Sequence, residues 1–262
     1  MTQLHIDAGL YEKIRARASE SDQSVEEWLA AVSQESDLPQ FHNWFVRLVG
    51  HDLRTPLAAI LTSADILKHY QHRMTDERRL EHLGTIQMQV RAINNLLDNV
   101  MVIQKYTTGA LHYDAGRHNL ADTCRSAAES AASMAYEQRE VVVQAPDDII
   151  GLFDENLLVL ALTNVLTNAI RFSADDTPVY LTLAADAGRP VIQVRDQGIG
   201  IPVDEQPKVY DLFFSASNAQ SRAGKGLGLA VVRWIIDLHN GTLALDSAPG
   251  RGTTVTITLP AA

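Results

Sequence analysis

Apolar side chains recur at every third or fourth position along two stretches of the chain, which is the spacing of amphipathic helices. The first stretch predicts a helix from about Phe41 to Tyr70, and the second predicts a helix from about Thr75 to Tyr106. The polar stretch Gln71–Asp76 between them predicts the turn of a hairpin. The second helix carries a narrow heptad seam formed by Leu83, Ile86, Val90, Ile93, Leu97 and Val100. Since one hairpin cannot bury such seams alone, we expect a homodimer with a four-helix bundle.

The pattern changes after Thr108-Gly109, where short apolar segments alternate with polar turns. Helices are predicted at about Leu120–Glu137, Glu155–Arg171 and Leu227–Leu238. Strands are predicted at about Glu140–Gln144, Ile149–Phe153, Val179–Ala184, Val191–Arg195, Thr242–Asp246 and Thr253–Leu259. Sequential strand pairs with helices between them favour an α+β sandwich, in which helices cover one face of a mixed sheet. We therefore predict a hairpin domain at 41–107 and a second domain at 111–262.

A small third unit is predicted at residues 1–36, where a short half-polar strand precedes two helices. Ser24 and Glu27 form a capping box at the start of the second helix. Strand, helix and helix in this order resemble a ribbon-helix-helix module. In a DNA-binding module the outward strand residues read the major groove, but residues 1–36 carry seven acidic and three basic side chains. This charge argues against DNA and favours dimerisation or the coupling of an input signal.

Composition narrows the class of protein further. The net charge of −10 argues against a general binder of nucleic acid or of anionic membranes. The single cysteine, Cys124, excludes a disulfide within the chain and is typical of a reducing compartment. No run approaches the ~18 apolar residues of a membrane helix, and the N-terminus lacks the pattern of a signal peptide. We therefore expect a cytoplasmic protein.

The first long helix carries a candidate nucleophile, His51. It lies two residues from both Val49 and Leu53 of the apolar stripe, or roughly 200° around the helix, so it points towards water. Asp52 follows directly, and a carboxylate beside an accessible imidazole provides a nucleophile with a base. On this pattern alone, a solvated surface histidine remains the alternative.

Three clusters in the second half carry further candidate chemistry. In the first, Asn164, Asn168 and Arg171 share one helix face, and amide oxygens suit Mg²⁺ that also binds substrate phosphates. The second, Asp196–Pro202, follows an apolar strand, and its Asp can accept a hydrogen bond from an exocyclic amine such as that of adenine. The third, Gly224–Ala230, runs into a helix, where glycines let backbone N–H groups face phosphates.

The third cluster is neither a P-loop nor a dinucleotide fingerprint. Lys225 precedes Gly226 rather than Ser or Thr, and no strand comes directly before it. The polar-rich segment between the second and third clusters contains Phe213-Phe214, and its length predicts a mobile lid over a ligand.

These motifs together resemble those of sensor histidine kinases. His51-Asp-Leu-Arg-Thr-Pro-Leu resembles the H box, and the three clusters resemble the N, G1 and G2 boxes in the same order. Val209–Phe214 resembles the F box, and Pro249–Pro260 resembles the closing strand pair of that family. The resemblance covers about residues 41–262. It implies a dimerisation and phosphotransfer hairpin followed by an ATP-binding domain of the Bergerat type.

The resemblance also implies a role for each site residue. His51 would accept the γ-phosphoryl group of ATP, Asp52 would orient its imidazole, and Thr55 would position water for dephosphorylation of a response regulator. Asn168 and Asn164 would bind Mg²⁺, Arg171 would reach phosphate, and Asp196 would bind adenine. The remaining nucleotide-binding residues would be Phe172, Gly198, Gly200, Phe214, Gly224, Lys225, Gly226, Leu227 and Gly228. The implied partners are a second copy of the chain and the receiver domain of a response regulator.

Two positions depart from the usual pattern. Many relatives have Glu where this chain has Asp52, and the family often has Arg or Lys shortly after the F-box aromatics, where Ser215 stands here. Arg222 and Lys225 are the candidate substitutes. A non-catalytic phosphotransfer or scaffold protein with a degenerate ATP domain is the alternative function. A DNA-binding regulator and other ATPases of the Bergerat fold are disfavoured, the first by charge and the second by the H box.

Overall fold

The computed structural model describes residues 53–135, 140–146, 149–174, 176–219 and 226–261. The strand-helix-helix unit predicted at residues 1–36 lies outside these ranges, as do His51, Asp52, Gly224 and Lys225. The described chain begins within the H box, at Leu53, and continues through the predicted hairpin and the second domain.

The hairpin consists of two helices joined by a short 3₁₀ turn. Helix α1 spans Arg54–Tyr70, the turn spans Gln71–Arg73, and helix α2 spans Asp76–Thr107. Thr75 caps α2, because its side chain accepts a hydrogen bond from the backbone N–H of Arg78 at 3.4 Å. The predicted second helix, from about Thr75 to Tyr106, is therefore confirmed to within one residue at each end.

The second domain contains three helices and seven strands in the described ranges. The helices are α3 (Leu120–Ala132), α4 (Glu155–Phe172) and α5 (Gly228–Leu238). The strands are β1 (Gly116–Asn119), β2 (Val141–Gln144), β3 (Ile150–Phe153), β4 (Val179–Asp186), β5 (Arg189–Arg195), β6 (Thr242–Ala248) and β7 (Gly252–Thr258). The sequence pattern did not predict β1, because its residues, Gly-Arg-His-Asn, have no apolar alternation.

Five strands form one mixed sheet in the order β2-β4-β5-β7-β6. The β2 and β4 strands are parallel, and the other neighbouring pairs are antiparallel. Strands β1 and β3 form a separate antiparallel pair. The inner positions of β4 (Val179, Leu181 and Leu183) alternate with more exposed ones, and α3, α4 and α5 pack over that face. The predicted helix layer on a mixed sheet is confirmed.

Helix α2 presents different chemistry on its two sides. Leu83, Val90, Leu97 and Met101 are 43–50% exposed, and all four fall within a narrow sector of the helix. On the opposite side, Asn99, Val102 and Ile103 are buried where α2 meets α4 and α5. Val100, assigned to the seam by its spacing, is also buried, at 7% exposure.

Among the described helices, none combines the length and the apolar content that crossing a membrane requires.

Candidate functional site

Helix α4 carries the first group of predicted site residues. Its N-terminus is fixed by Asp154, whose side chain accepts a hydrogen bond from the Leu157 N–H, while the Asp154 N–H donates to His239 Nε2 at 3.1 Å. Asn164 is 4% exposed and Asn168 is half-buried, whereas Arg171 is exposed. The two Asn side chains lie one turn apart on the same face of the helix.

The N-terminus of α5 meets this face of α4. A Cβ atom at Gly228 would lie 3.5 Å from Asn168 Nδ2 and 3.6 Å from Asn164 Oδ1. Leu227, at the N-cap position, provides no side-chain hydrogen bond to the first turn. The first N–H groups of α5 therefore receive no cap from the Leu227 side chain. They lie at the N-terminus of the helix, which is the end that attracts anions. Two carboxamides and a helix N-terminus thus meet at one place, which suits phosphate with a divalent cation.

Asp196 lies at the end of β5 and is 7% exposed. Its Oδ1 accepts hydrogen bonds from the Gly198 N–H at 2.8 Å and from the Thr253 N–H at 3.1 Å. Burial raises the pKa of the Asp196 carboxyl above its usual range, and these two backbone donors offset part of that rise. Both bonds use one oxygen, so Oδ2 receives no hydrogen bond from the described residues and can accept one from an amine.

The glycines after Asp196 place the turn against the end of α4. A Cβ at Gly198 would collide with the Phe172 carbonyl oxygen, and the Ile199 N–H donates to that oxygen at 3.3 Å. Gly200 has φ +65°, and a Cβ there would overlap the Ala248 carbonyl oxygen. Only glycine fits such close backbone contacts. Asp196 is consequently held beside the last turn of the helix that carries the Asn pair.

The F-box aromatics contact the start of the third cluster. The Phe213 N–H donates to the Gly226 carbonyl at 2.8 Å, and a Cβ at Gly226, with φ +67°, would lie 2.5 Å from the Phe214 carbonyl oxygen. Residues before this point are tied to the second cluster, because Asn218 Nδ2 donates to the Gly200 carbonyl at 2.8 Å. The segment predicted as a mobile lid is therefore hydrogen-bonded to the domain as far as Asn218. Residues 220–225 of that segment lie outside the described residues.

The predicted residues thus fall into three neighbouring groups around the C-terminal half of α4. The groups are Asn164, Asn168, Leu227 and Gly228; Phe172, Asp196, Gly198 and Gly200; and Phe214 with Gly226. Thr55 lies in the first turn of α1, where it is exposed. The donor set fits ATP with Mg²⁺: a carboxylate oxygen for the base, a helix N-terminus for phosphates, and amide oxygens for the cation.

Sequence reasoning missed one residue that contacts this site. Asn99 on α2 forms two hydrogen bonds with Asn164, one in each direction, at 3.1 and 2.6 Å. A polar residue between the apolar positions of a heptad helix is a weak signal, and it does not identify a partner 65 residues away.

Models of two domain families match the chain. The first, the His Kinase A (phospho-acceptor) domain, matches residues 43–109. The second, the histidine kinase-, DNA gyrase B- and HSP90-like ATPase, matches residues 153–262. The second match contains all three groups around α4.

Curated proteins that resemble the chain carry histidine kinase names. The sensor-like histidine kinase SenX3 of Mycolicibacterium smegmatis is 31% identical over 82% of this chain and 56% of its own length. The sensor histidine kinase YkoH of Bacillus subtilis is 29% identical over 81% of this chain and 46% of its own length. The chain therefore spans about half the length of the curated relatives it matches.

Solved structures agree in fold. ShkA, solved in complex with AMPPNP, is 24% identical, with a TM-score of 0.55 over 82% of this chain and 45% of its own, and at that identity the likeness shows the fold alone. The mycobacterial sensor histidine kinase MprB is 30% identical, with a TM-score of 0.51 over 55% of this chain and 97% of the solved chain. This identity over almost the whole solved MprB chain, together with the two family models in order, shows that the chain belongs to the sensor histidine kinase family.

Proposed function

We propose that this protein is an ATP-dependent histidine autokinase of a two-component system. It transfers the γ-phosphoryl group of ATP to His51 and then passes that group to an aspartate of a response regulator. In this proposal 41–107 is the phosphotransfer hairpin, 111–262 is the ATP-binding domain, and 1–36 is an input or dimerisation module. The observation that carries it is the meeting of Asn164, Asn168 and the α5 N-terminus beside Asp196.

The nucleotide is held by three kinds of contact. Asp196 Oδ2 accepts a hydrogen bond from the adenine amine, while Oδ1 keeps the turn in place. The α5 N-terminus faces the phosphates, and Arg171 contributes a positive charge nearby. Asn168 and Asn164 would supply amide oxygens to Mg²⁺, which would neutralise charge on the phosphates. As the family resemblance implies, Gly224, Gly226 and Gly228 would let the lid close on the phosphates.

The chemical step is an in-line transfer of the γ-phosphoryl group from ATP to His51. An imidazole nitrogen of His51 forms a bond to the γ-phosphorus, and the bond from that phosphorus to the β–γ bridging oxygen breaks, so ADP leaves with the electron pair. Asp52 accepts a hydrogen bond from the other imidazole nitrogen and stabilises the positive charge that develops on the ring. In a separate phosphatase reaction, Thr55 positions the water that removes the phosphoryl group from the regulator.

The exposed apolar stripe of α2 supports a homodimer. Leu83, Val90, Leu97 and Met101 would be covered by the same residues of a second hairpin, which removes their apolar surface from water. The opposite side of α2 packs against helices of the ATP-binding domain. A two-fold pairing through the stripe would therefore leave both sides of the helix covered.

Incubation with radiolabelled ATP and Mg²⁺ tests the proposed activity. The expected product is a phosphoprotein whose label is lost in acid and kept in alkali, and His51→Gln abolishes it. His69→Gln is the matched control, since His69 is an exposed histidine on α1. Label that persists in His51→Gln would exclude His51 as the acceptor.

Phosphotransfer profiling identifies the partner. The labelled protein is mixed with a panel of purified receiver domains, and the cognate regulator is expected to take up label within seconds to minutes while the kinase loses it. A non-catalytic scaffold is the alternative, and its distinguishing result is the absence of Mg·ATP binding in calorimetry.

A further inference from the structure

Asn99 of the hairpin and Asn164 of the ATP-binding domain form a buried, reciprocal amide pair. Asn164 Nδ2 donates to Asn99 Oδ1 at 2.6 Å, and Asn99 Nδ2 donates to Asn164 Oδ1 at 3.1 Å. Both residues are 4% exposed. The amide of Asn164 is therefore fixed by a side chain from outside its own domain.

The orientation of this pair is set by the backbone of α2. Asn99 Nδ2 also donates to the Asn95 carbonyl oxygen at 2.8 Å. A carbonyl oxygen only accepts, so the Asn99 amide must present its nitrogen towards Asn95 and its oxygen towards Asn164. Asn164 must then present its nitrogen to Asn99 Oδ1, because two oxygens or two NH₂ groups in contact would repel. One backbone carbonyl on α2 thus decides which way the Asn164 amide points.

The oxygen of Asn164 is the less tightly held atom of the pair. The Asn99 NH₂ group shares its two hydrogens among Asn164 Oδ1, the Asn95 carbonyl and Asn95 Oδ1, the last at 3.1 Å. The Asn164 nitrogen has the shorter bond, at 2.6 Å. Asn164 Oδ1 keeps a lone pair available, and it lies 3.6 Å from the Cβ position of Gly228 at the α5 N-terminus.

Packing alone does not fix the pair. Beside it lies a cavity of about 610 Å³ between α2 and the second domain, lined by Asn95 and Val102 of α2 and by Thr163 of α4. The Thr163 hydroxyl is buried and has no hydrogen-bond partner among the described residues. An amide oxygen and an amide NH₂ group are similar in size, so the hydrogen bonds rather than side-chain packing set which of the two faces each partner.

We propose that Asn99 is a positioning residue for Mg²⁺–nucleotide binding, acting from the hairpin through Asn164. This rests on the proposed function, in which Asn164 Oδ1 is a ligand of the cation. Partners that orient a ligand strengthen metal binding without touching the metal. The nucleotide site is therefore complete only while α2 is packed against α4. The gain in nucleotide affinity on adding Mg²⁺ then depends on that packing.

Nucleotide affinity of the full chain, measured with and without Mg²⁺, tests the inference. The probe is a fluorescent ADP analogue, titrated once with excess Mg²⁺ and once with EDTA. Asn99→Leu keeps the side-chain size and removes both hydrogen bonds to Asn164. It is expected to weaken binding about tenfold with Mg²⁺ and to leave binding in EDTA unchanged. Asn94→Leu, the same substitution at an exposed position of α2, is expected to change neither value.

A double-mutant cycle with Asn164→Ala separates positioning from general damage. If Asn99 acts through Asn164, then Asn99→Leu produces no further loss of Mg²⁺-dependent affinity in the Asn164→Ala background. Thermal unfolding checks that each variant folds, and Asn99→Ala replaces the leucine variant if the latter does not.

The outcomes distinguish this inference from the proposed function. A wild-type protein without Mg²⁺-dependent nucleotide binding overturns both. Wild-type binding that depends on Mg²⁺ and is unchanged in Asn99→Leu overturns the positioning role alone. An equal loss with Mg²⁺ and with EDTA also overturns it, since that pattern indicates a structural role only.

Discussion

The hairpin and the ATP-binding domain bury their apolar side chains in different ways. In the domain, Leu158, Leu162, Leu166 and Ile235 are fully buried between the helix layer and the sheet. In the hairpin, large apolar residues remain open along both helices: Leu57, Leu61, Leu80, Leu83, Val90, Leu97 and Met101 are 43–68% exposed. The domain contains its own core, whereas the hairpin requires another surface to complete one.

This difference separates what each region needs in order to be stable. Two helices joined by a short turn bury one side of each helix, so an apolar stripe on the far side stays in water. A three-helix layer on a five-stranded sheet buries its apolar face fully within one chain. We therefore expect mutations in the two regions to affect different quantities: association for the hairpin, and unfolding for the domain.

The largest effect is expected for a charge placed in the exposed stripe. In Leu97→Glu a carboxylate would be buried at the dimer interface, which costs roughly 3–5 kcal/mol for each uncompensated charge. Sedimentation should show a monomer at concentrations where the wild type is a dimer. Arg78→Glu places a glutamate at another exposed position of α2 and serves as the control. A dimer that survives Leu97→Glu would show that the stripe is not the interface.

A cavity in the domain core is expected to have the next largest effect. Leu162→Ala removes a side chain with 0% exposure and should lower the free energy of unfolding by about 2–5 kcal/mol. Denaturant unfolding followed by circular dichroism measures it. Leu152→Ala, at a position that is 61% exposed, should change the free energy of unfolding by less than about 0.5 kcal/mol. Equal losses in the two variants would contradict the assigned core.

A steric clash at a glycine of the site is expected to lower the free energy of unfolding by a somewhat smaller amount. Gly200→Ala combines a left-handed backbone with overlap against the Ala248 carbonyl, so we expect a loss of about 2–4 kcal/mol in stability. Gly250 also has a positive φ, of +73°, but a Cβ there meets open space. Gly250→Ala should therefore cost only about 1–2 kcal/mol. The difference between the two measured values isolates the cost of the collision.

The smallest expected effect is a gain in the hairpin. Gly84 lies inside α2, and a Cβ at this position has no atom within 4 Å. Gly84→Ala should stabilise the helix by about 0.5–1 kcal/mol, because alanine loses less backbone entropy than glycine on folding. A rise in melting temperature without a change in dimer affinity is the expected pattern. A loss of stability would indicate that this side of α2 is in contact with another surface.

Local pattern alone predicted most elements of both regions. The heptad spacing of α2 and its Thr75 cap are properties of neighbouring residues, and the predicted and observed boundaries differ by one residue. The glycines of the second and third clusters likewise marked turns that only glycine fits, as at Gly200 and Gly226. The short strand β1 was missed, since its pairing with β3 rather than its own composition makes it a strand.

The sequence by itself determined most of the elements, the order of the motifs and the family, because periodicity and turn chemistry act between residues close in the chain. Only the tertiary structure decided which side of α2 is covered and which stays open. It also decided that Asn164, chosen from helix spacing as a metal ligand, is held by Asn99. Such a pair depends on how two helices 65 residues apart pack together. No local pattern of apolar and polar residues contains that information.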